Sequence, residues 1–408
     1  MILLYLHQYF KFPSESGGTR SFDLASSFVQ SGIDVHVITT TSDEKFRSNR
    51  RWSLYKQCEI SVHYLFLPYS NDLPYFKRIL AFVKFVWFAT FKVLSFNCDL
   101  VLASSTPLTI GIPAIINKWL QRTPFVFEVR DVWPEAVIAV GAITNPLAKK
   151  ILFFLERLIY ANAEAIIPLS EDMKSSIVKR FPDVVLNKKI CVIENIAEIY
   201  RFQKGFVNGR NLLETKLGFA PRFTVLYAGT FGRVNGIEYV IRLARRTLPL
   251  DSTLVYVLIG DGAYKSVVKD LAIDENVIGR NVFLCDSVSK EELPQLYHEA
   301  NMGSSFVIPI RELWANSANK FFDTLAAGKP ILINYEGWQK NIISKYNVGY
   351  VLPETLSDLE VLRFVDYTKN DTLIKAQQIH SLELATKEYS LEAASEKYIN
   401  VFKSIVYV

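Results

Sequence analysis

Short continuous apolar runs alternate with helix-period patterns along this chain, and the alternation begins twice. Ile2–Leu6 leads through a loop with Gly17, Gly18 and Thr19 to a helical pattern at Phe22, Leu24, Ala25 and Val29, and Val35–Thr39 is the next run. Thr224–Ala228, the loop Gly229 to Arg233, a helix opening over Ile237–Ala244 and the run Leu254–Ile259 repeat that order. Runs that are apolar on both faces suit strands covered by helices on both sides, the β-α-β arrangement of a parallel sheet. A chain of 408 residues exceeds what one ordinary core organises. The expectation is an α/β protein with two successive doubly wound domains, 1–196 and 197–385. The link is placed from about Ile196 to Gly218, where Gly205 and Gly209 interrupt the pattern.

The intervening segments fill in the same scheme. Ile60–Leu67, Leu100–Ala103, Pro124–Val129 and Ala165–Leu169 read as strands, Thr109–Leu120 as a helix, and Ser170 as the cap of a helix over Asp172–Lys179. Thr40–Gln57, polar and basic, reads as a mobile surface loop. In the second half, helix Lys265–Leu271, strand Val282–Leu284, helix Lys290–His298 and strand Gly303–Val307 lead to a last strand, Ile331–Asn334. Ser390–Ile405 is amphipathic through Leu391, Ala394, Tyr398 and Phe402.

Arg311–Pro330 contains the most chemistry. Asn316 and Ser317 are good helix N-caps, Gly328 suits the position after the last turn and Pro330 forbids continuation, so a helix of about three turns is expected. Phe322, Leu325 and Ala326 make its apolar stripe, while Asn319, Lys320 and Asp323 share another side. The start of such a helix favours an anion, and Lys320 there opposes its own helix dipole, an arrangement a bound phosphate relieves. A solvated polar face is the alternative. At the end of Pro124–Val129, the segment Arg130-Asp131-Val132-Trp133-Pro134-Glu135 places charges where ligands bind in doubly wound folds. On this segment alone a charged turn with an Arg130–Asp131 contact is the leading alternative.

Two helical stretches, Tyr75–Phe96 and Asn145–Tyr160, are dense in aromatics yet interrupted by Lys77, Arg78, Lys84, Lys92, Lys149 and Lys150. Internal lysines disfavour a membrane span; a domain helix whose apolar face is core is one reading, and the recurrence of the pattern in two helices favours the other, a helix lying on an anionic lipid surface. Cys58, Cys98, Cys191 and Cys285 are scattered without a CxxC pair, and the five histidines (His7, His36, His63, His298 and His380) are isolated, so no structural zinc is expected. The formal charge of +5 is modest, and nothing points to nucleic acid. The opening Met1–Phe10 lacks a basic leader and reads as a first strand.

The ordered motifs GG, RDVWPE, PLSEDM, VIEN, YAGTFGRVNG, IGDGAY and SANKFFDTLAAGKP resemble those of the family 4 retaining glycosyltransferases, across nearly the whole chain. The likeness is strongest to the branch that assembles bacterial O-antigen, capsule or lipopolysaccharide repeats, in particular the L-fucosamine transferases. The resemblance implies the two-domain GT-B fold, two Rossmann-like domains facing across a cleft, with 386–408 crossing back onto the first domain. It implies transfer of a sugar such as N-acetyl-L-fucosamine from a UDP-sugar to a glycan on polyprenyl diphosphate, at the cytoplasmic face of the inner membrane, with no metal or other cofactor. Asp323 would accept the ribose hydroxyls, Ser287 and Val288 would face the base, and Gly17 and Gly18 would admit the diphosphate. Gly229, Thr230 and Asn319 complete the donor side, and Arg130, Asp131 and Glu135 would orient the acceptor.

Departures from the pattern are specific. The family's paired acids fall on Ala315 and Asp323, so one is lost and the other shortened. Its diphosphate-binding Arg and Lys fall on Thr230 and Asn235. Phosphates in a closing site need partners, and the cations left to compensate are Lys320 and Arg233, with Arg130 as a further candidate. Lys320 and Arg233 would collect the charge developing on the leaving diphosphate, and a phosphate oxygen would take the acceptor proton. Two rival readings remain: a nucleotide-sugar 2-epimerase of the same fold, and a scaffold without chemistry.

Overall fold

The computed structural model describes residues 1–13, 15, 18–68, 75–186, 188–207, 209 and 211–407, with backbone alone at 75–79. The chain divides into two units, Met1–Glu194 with Leu391–Val408, and Asn195–Ser390. Each is a Rossmann-like parallel sheet flanked by helices.

In unit 1 the strands are β1 (Ile2–Leu6), β2 (Asp34–Thr41), β3 (Trp52–Gln57), β4 (Ile60–Phe66), β5 (Leu100–Ser104), β6 (Phe125–Val129), β7 (Ala165–Pro168) and β8 (Lys189–Ile190). They lie in the order β3-β4-β2-β1-β5-β6-β7-β8, all parallel except β3. Part of the segment read as a surface loop is thus an edge strand. β3 pairs antiparallel with β4, Trp52 opposite Leu65 and Gln57 opposite Ile60, and because it is exposed or half-buried along its whole length it lacks the apolar run that marks the buried strands. The order reverses between β1 and β5, so their carboxyl ends frame the crevice where doubly wound sheets take ligands.

Unit 2 contains β9 (Phe223–Ala228), β10 (Leu254–Ile259), β11 (Val282–Cys285), β12 (Met302–Ser305), β13 (Ile331–Ile333) and β14 (Gly349–Val351). The order is β11-β10-β9-β12-β13-β14, parallel throughout. Ile331–Asn334 is therefore not the last strand, because the three-residue β14 closes the edge beside it, too short to show a period. β9 and β10 are buried along their full length, which explains their unbroken apolar runs. Leu226 and Ala228 pack with Phe321, Phe322 and Leu325 on one face, and Val225 and Tyr227 with Val240 and Ile241 on the other. The crevice of this sheet opens between the ends of β9 and β12.

Candidate functional site

In unit 2 the helix that follows β12 spans Asn319–Ala326, shorter than expected, and its N-cap is Ala318, whose side chain makes no cap. Asn316 and Ser317 do not cap it because their groups are used elsewhere. Asn316 Oδ1 accepts from the Ala318 N–H at 3.2 Å and its carbonyl from Trp338 Nε1 at 2.9 Å, while Ser317 Oγ accepts from the Asn195 N–H at 3.3 Å. Asn195 also donates through Nδ2 to the Ser317 carbonyl at 3.2 Å and to Asn319 Oδ1. The amide oxygen of Asn319 is thus spent on anchoring the helix start. Gly303 on β12 sets its depth: a Cβ there would lie 2.1 Å from Thr324 Oγ1, so glycine lets helix and strand backbones approach closely.

Lys320 leaves this helix across the end of β9. Its Nζ lies 5.1 Å from the centre of the Tyr227 ring, and a Cβ on Gly229 would stand 3.2 Å from it, so the amine occupies space that only glycine leaves free. Among the described residues no carboxylate lies within ion-pair distance of it. Burial lowers its pKa to about 8 against the pull of Asp323. Asp323, one turn on, is raised to about 7, by burial and then by Glu198, with Arg201, Lys320 and Lys290 opposing. An amine and an acid thus sit at the switch point, each with its pKa drawn towards neutrality by burial.

The other donor-side residues divide. Thr230 is exposed, and its carbonyl accepts from Tyr227 Oη at 2.7 Å and Asn235 Nδ2 at 2.9 Å. Arg233, exposed in a short turn after β9, has no ion-pair partner among the described residues. Ser287 is exposed and Val288 half-buried in the loop after β11. Ala315 is buried, and the nearest acid on that segment, Glu312, is exposed in the short turn before it.

Glu198 and Arg201 fall within the expected link and Asn195 just before it, and none of the three is a candidate in the sequence. Glu198 and Arg201 pair at 2.6 Å at the start of a short helix, and Glu198 is near enough to raise Asp323. Their spacing of three was the available signal.

In unit 1, Gly17 lies outside the described residues and Gly18 is exposed just before helix Arg20–Gln30. Arg20, buried inside that helix, binds Glu128 on β6 at 2.5 Å, and Ser104 and Tyr398 also donate to Glu128. Burial pushes the Glu128 carboxyl up, but Arg20 and Arg130 and these hydrogen bonds outweigh it and hold it at about 2. Tyr398 belongs to helix Leu391–Val406, so this final helix is tied into the unit 1 core.

Arg130 and Asp131 do not contact each other. Arg130 Nη1 meets His7 Nε2 at 2.6 Å, and Asp131 accepts from Thr106 Oγ1 at 3.1 Å. Glu135 turns away from the strand ends: Ser176 Oγ donates to it at 2.7 Å, and Arg180, which also binds Glu156, lies 3.4 Å off. That network gives Glu135 a structural role.

On the outside of unit 1, helix Tyr75–Leu94 exposes Leu80, Val83, Trp87 and Phe91 beside Lys84. Helix Gly111–Gln121 packs against it and exposes Trp119 and Leu120, and helix Pro146–Asn162, against that in turn, exposes Leu147, Ile151 and Phe154. Among the described residues no helix is long and apolar enough to cross a membrane.

Residues 17–195 match the family "Glycosyl transferase 4-like domain" and residues 212–379 match "Glycosyl transferases group 1". No curated protein sequence matches the chain. Among solved structures the chain is similar to sucrose-phosphate synthase from Thermosynechococcus elongatus, at 15% identity and TM-score 0.75, covering 100% of this chain and 99% of that one. It is similar to Anabaena HepE in complex with UDP and glucose, at 14% identity and TM-score 0.70, covering 99% and 100%. It is also similar to an E. coli protein described as trehalose-6-phosphate bound with UDP-2-fluoro glucose, at 10% identity and TM-score 0.74, covering 99% of each chain.

Proposed function

Since the chain belongs to the family 4 glycosyltransferases and has their GT-B architecture, we propose that it transfers a sugar from UDP to a glycan carried on a lipid diphosphate, with retention of configuration and without a metal. The carrying observation is Lys320, an amine without a carboxylate partner among the described residues, lodged against Gly229 at the switch point of unit 2. There it would meet the β-phosphate and stabilise the charge that develops as the sugar leaves, with Arg233 on the adjoining turn as a second cation. Asp323 offers two oxygens to a vicinal diol such as that of ribose. UDP as the carrier is supported by the UDP-bound neighbours.

The acceptor side rests on unit 1. Three neighbouring helices that expose aromatic and aliphatic side chains beside lysines suit an anionic membrane surface, and that is where a polyprenyl-diphosphate glycan resides. On the strength of the motif resemblance, the sugar is an N-acetylated deoxyhexosamine such as N-acetyl-L-fucosamine, the product an O-antigen or capsule repeat, and the location the cytoplasmic face of the inner membrane. Asp131 is the acceptor-side residue left exposed at the strand ends.

The test is UDP release from a UDP-sugar, with and without membranes containing lipid-linked glycan. Release that depends on acceptor supports transfer. Conversion of the donor to an epimer without acceptor would establish the isomerase, and donor binding with no turnover under either condition would establish a scaffold.

A further inference from the structure

We propose that His7 is a positioning residue which aims Arg130 as the unit 1 donor to a substrate diphosphate. The inference rests on the transferase reading above and adds a residue to it.

A guanidinium has no lone pair to offer, so in the 2.6 Å contact between Arg130 Nη1 and His7 Nε2 the imidazole nitrogen must accept. His7 is therefore neutral and carries its proton on Nδ1. The surroundings enforce that state: the ring is buried, and burial and then Arg130 lower its pKa to about 3. His7 follows β1 and Arg130 follows β6, with the Arg130 N–H held by Ser105 Oγ at 3.0 Å after β5. The ends of β1, β5 and β6 thus hold this one residue, its backbone through Ser105 and its guanidinium through His7.

The charge is not cancelled. Glu128, the buried acid nearby, is bound at 2.5 Å by Arg20, and Asp131 is engaged by Thr106. Among the described residues Arg130 has no carboxylate partner within ion-pair distance, and it is partly exposed. A neutral imidazole orients it without neutralising it, which a carboxylate in the same place could not do. Its remaining donors form a planar fork suited to phosphate oxygens. Two diphosphates come into question, that of the nucleotide and that of the lipid carrier.

The experiment measures dissociation constants by calorimetry for UDP and for farnesyl diphosphate with the full chain. The variants are Arg130→Met, His7→Leu, His7→Gln and the double change Arg130→Met with His7→Leu, each with its unfolding temperature. His7→Leu should weaken by roughly tenfold the same probe that Arg130→Met weakens. His7→Gln, whose amide oxygen also accepts, should recover most of the loss. The double variant should bind no worse than Arg130→Met alone, since His7 acts through Arg130. Loss confined to UDP assigns the donor diphosphate, and loss confined to farnesyl diphosphate the acceptor's. If either single change to Met or Leu leaves both probes unaffected, or the two losses multiply in the double variant, the assignment is wrong. A wild-type chain that binds neither probe contradicts the transferase reading itself, a result distinct from those.

Discussion

The two units each place an acid and a cation near the end of a parallel sheet, and they treat them oppositely. In unit 1, Arg20 and Glu128 are in direct contact and buried, with Ser104 and Tyr398 completing the carboxylate, and the Glu128 pKa is held at about 2. In unit 2, Lys320 and Asp323 share a helix face without an ion pair, and their pKa values converge to about 8 and about 7. The difference separates structure from function. A buried charge with its partner in place fastens elements together, whereas one left without a partner raises the energy of the free protein and awaits a ligand.

Breaking the fastened pair should have the largest effect. Glu128→Leu leaves Arg20 buried and uncompensated, with an expected loss of about 3–5 kcal/mol, read as a lower urea midpoint for the unit 1 transition. A stability unchanged by this substitution would remove the contrast from that side. Lys320→Ala should do the reverse. UDP-dependent turnover should fall by about 10²–10³-fold, while the unfolding temperature holds or rises because an unpaired cation has gone.

Gly229→Ala sharpens the geometry. A methyl group 3.2 Å from Lys320 Nζ obliges the amine to give way, and the positive backbone φ of Gly229 strains any side chain placed there, so UDP should bind about tenfold more weakly by calorimetry and stability should fall by about 1–3 kcal/mol. An unaltered dissociation constant would mean that the position of the amine beside β9 is irrelevant.

The pH dependence is the subtlest effect and differs in sign between the units. Glu128 has a folded pKa below its unfolded value, so the stability it contributes is present above about 4.5 and lost as pH falls towards 2. Asp323, raised, makes unit 2 lose stability as pH climbs from about 4 to about 7, and Lys320, lowered, makes it lose stability as pH drops from about 10 to about 8. Ligand-free unit 2 should therefore show a shallow stability minimum between about pH 7 and 8, measurable by thermal unfolding across pH. UDP should erase the Lys320 side of that minimum.

The architecture was readable because fully buried strands such as β9 and β10 force unbroken apolar runs, and because the runs restart at Thr224. Edges were not: β3 buries none of its residues and so carries no apolar run, and β14 has too few residues to carry a period. The site was legible where composition and spacing act within one helix, as for Lys320 and Asp323. It was illegible where partners come from afar. Asn195 anchors a helix more than a hundred positions downstream, Glu198 acts on Asp323 from the presumed link, and His7, set aside as an isolated histidine, meets Arg130 only through the ordering of β1, β5 and β6. The cap prediction at Asn316 and Ser317 failed for two reasons: Asn316 turns its amide oxygen onto the nearer Ala318 N–H, and the Ser317 hydroxyl is taken by the distant Asn195.

Calorimetry of UDP binding at pH 8.5 in two buffers of different ionisation enthalpy tests the central claim most directly. Above the pKa of a largely neutral Lys320, binding a diphosphate should draw a proton onto the amine, giving a buffer-dependent heat that disappears in Lys320→Ala together with most of the affinity. Binding of equal strength in both proteins, with no proton taken up by either, would contradict the account.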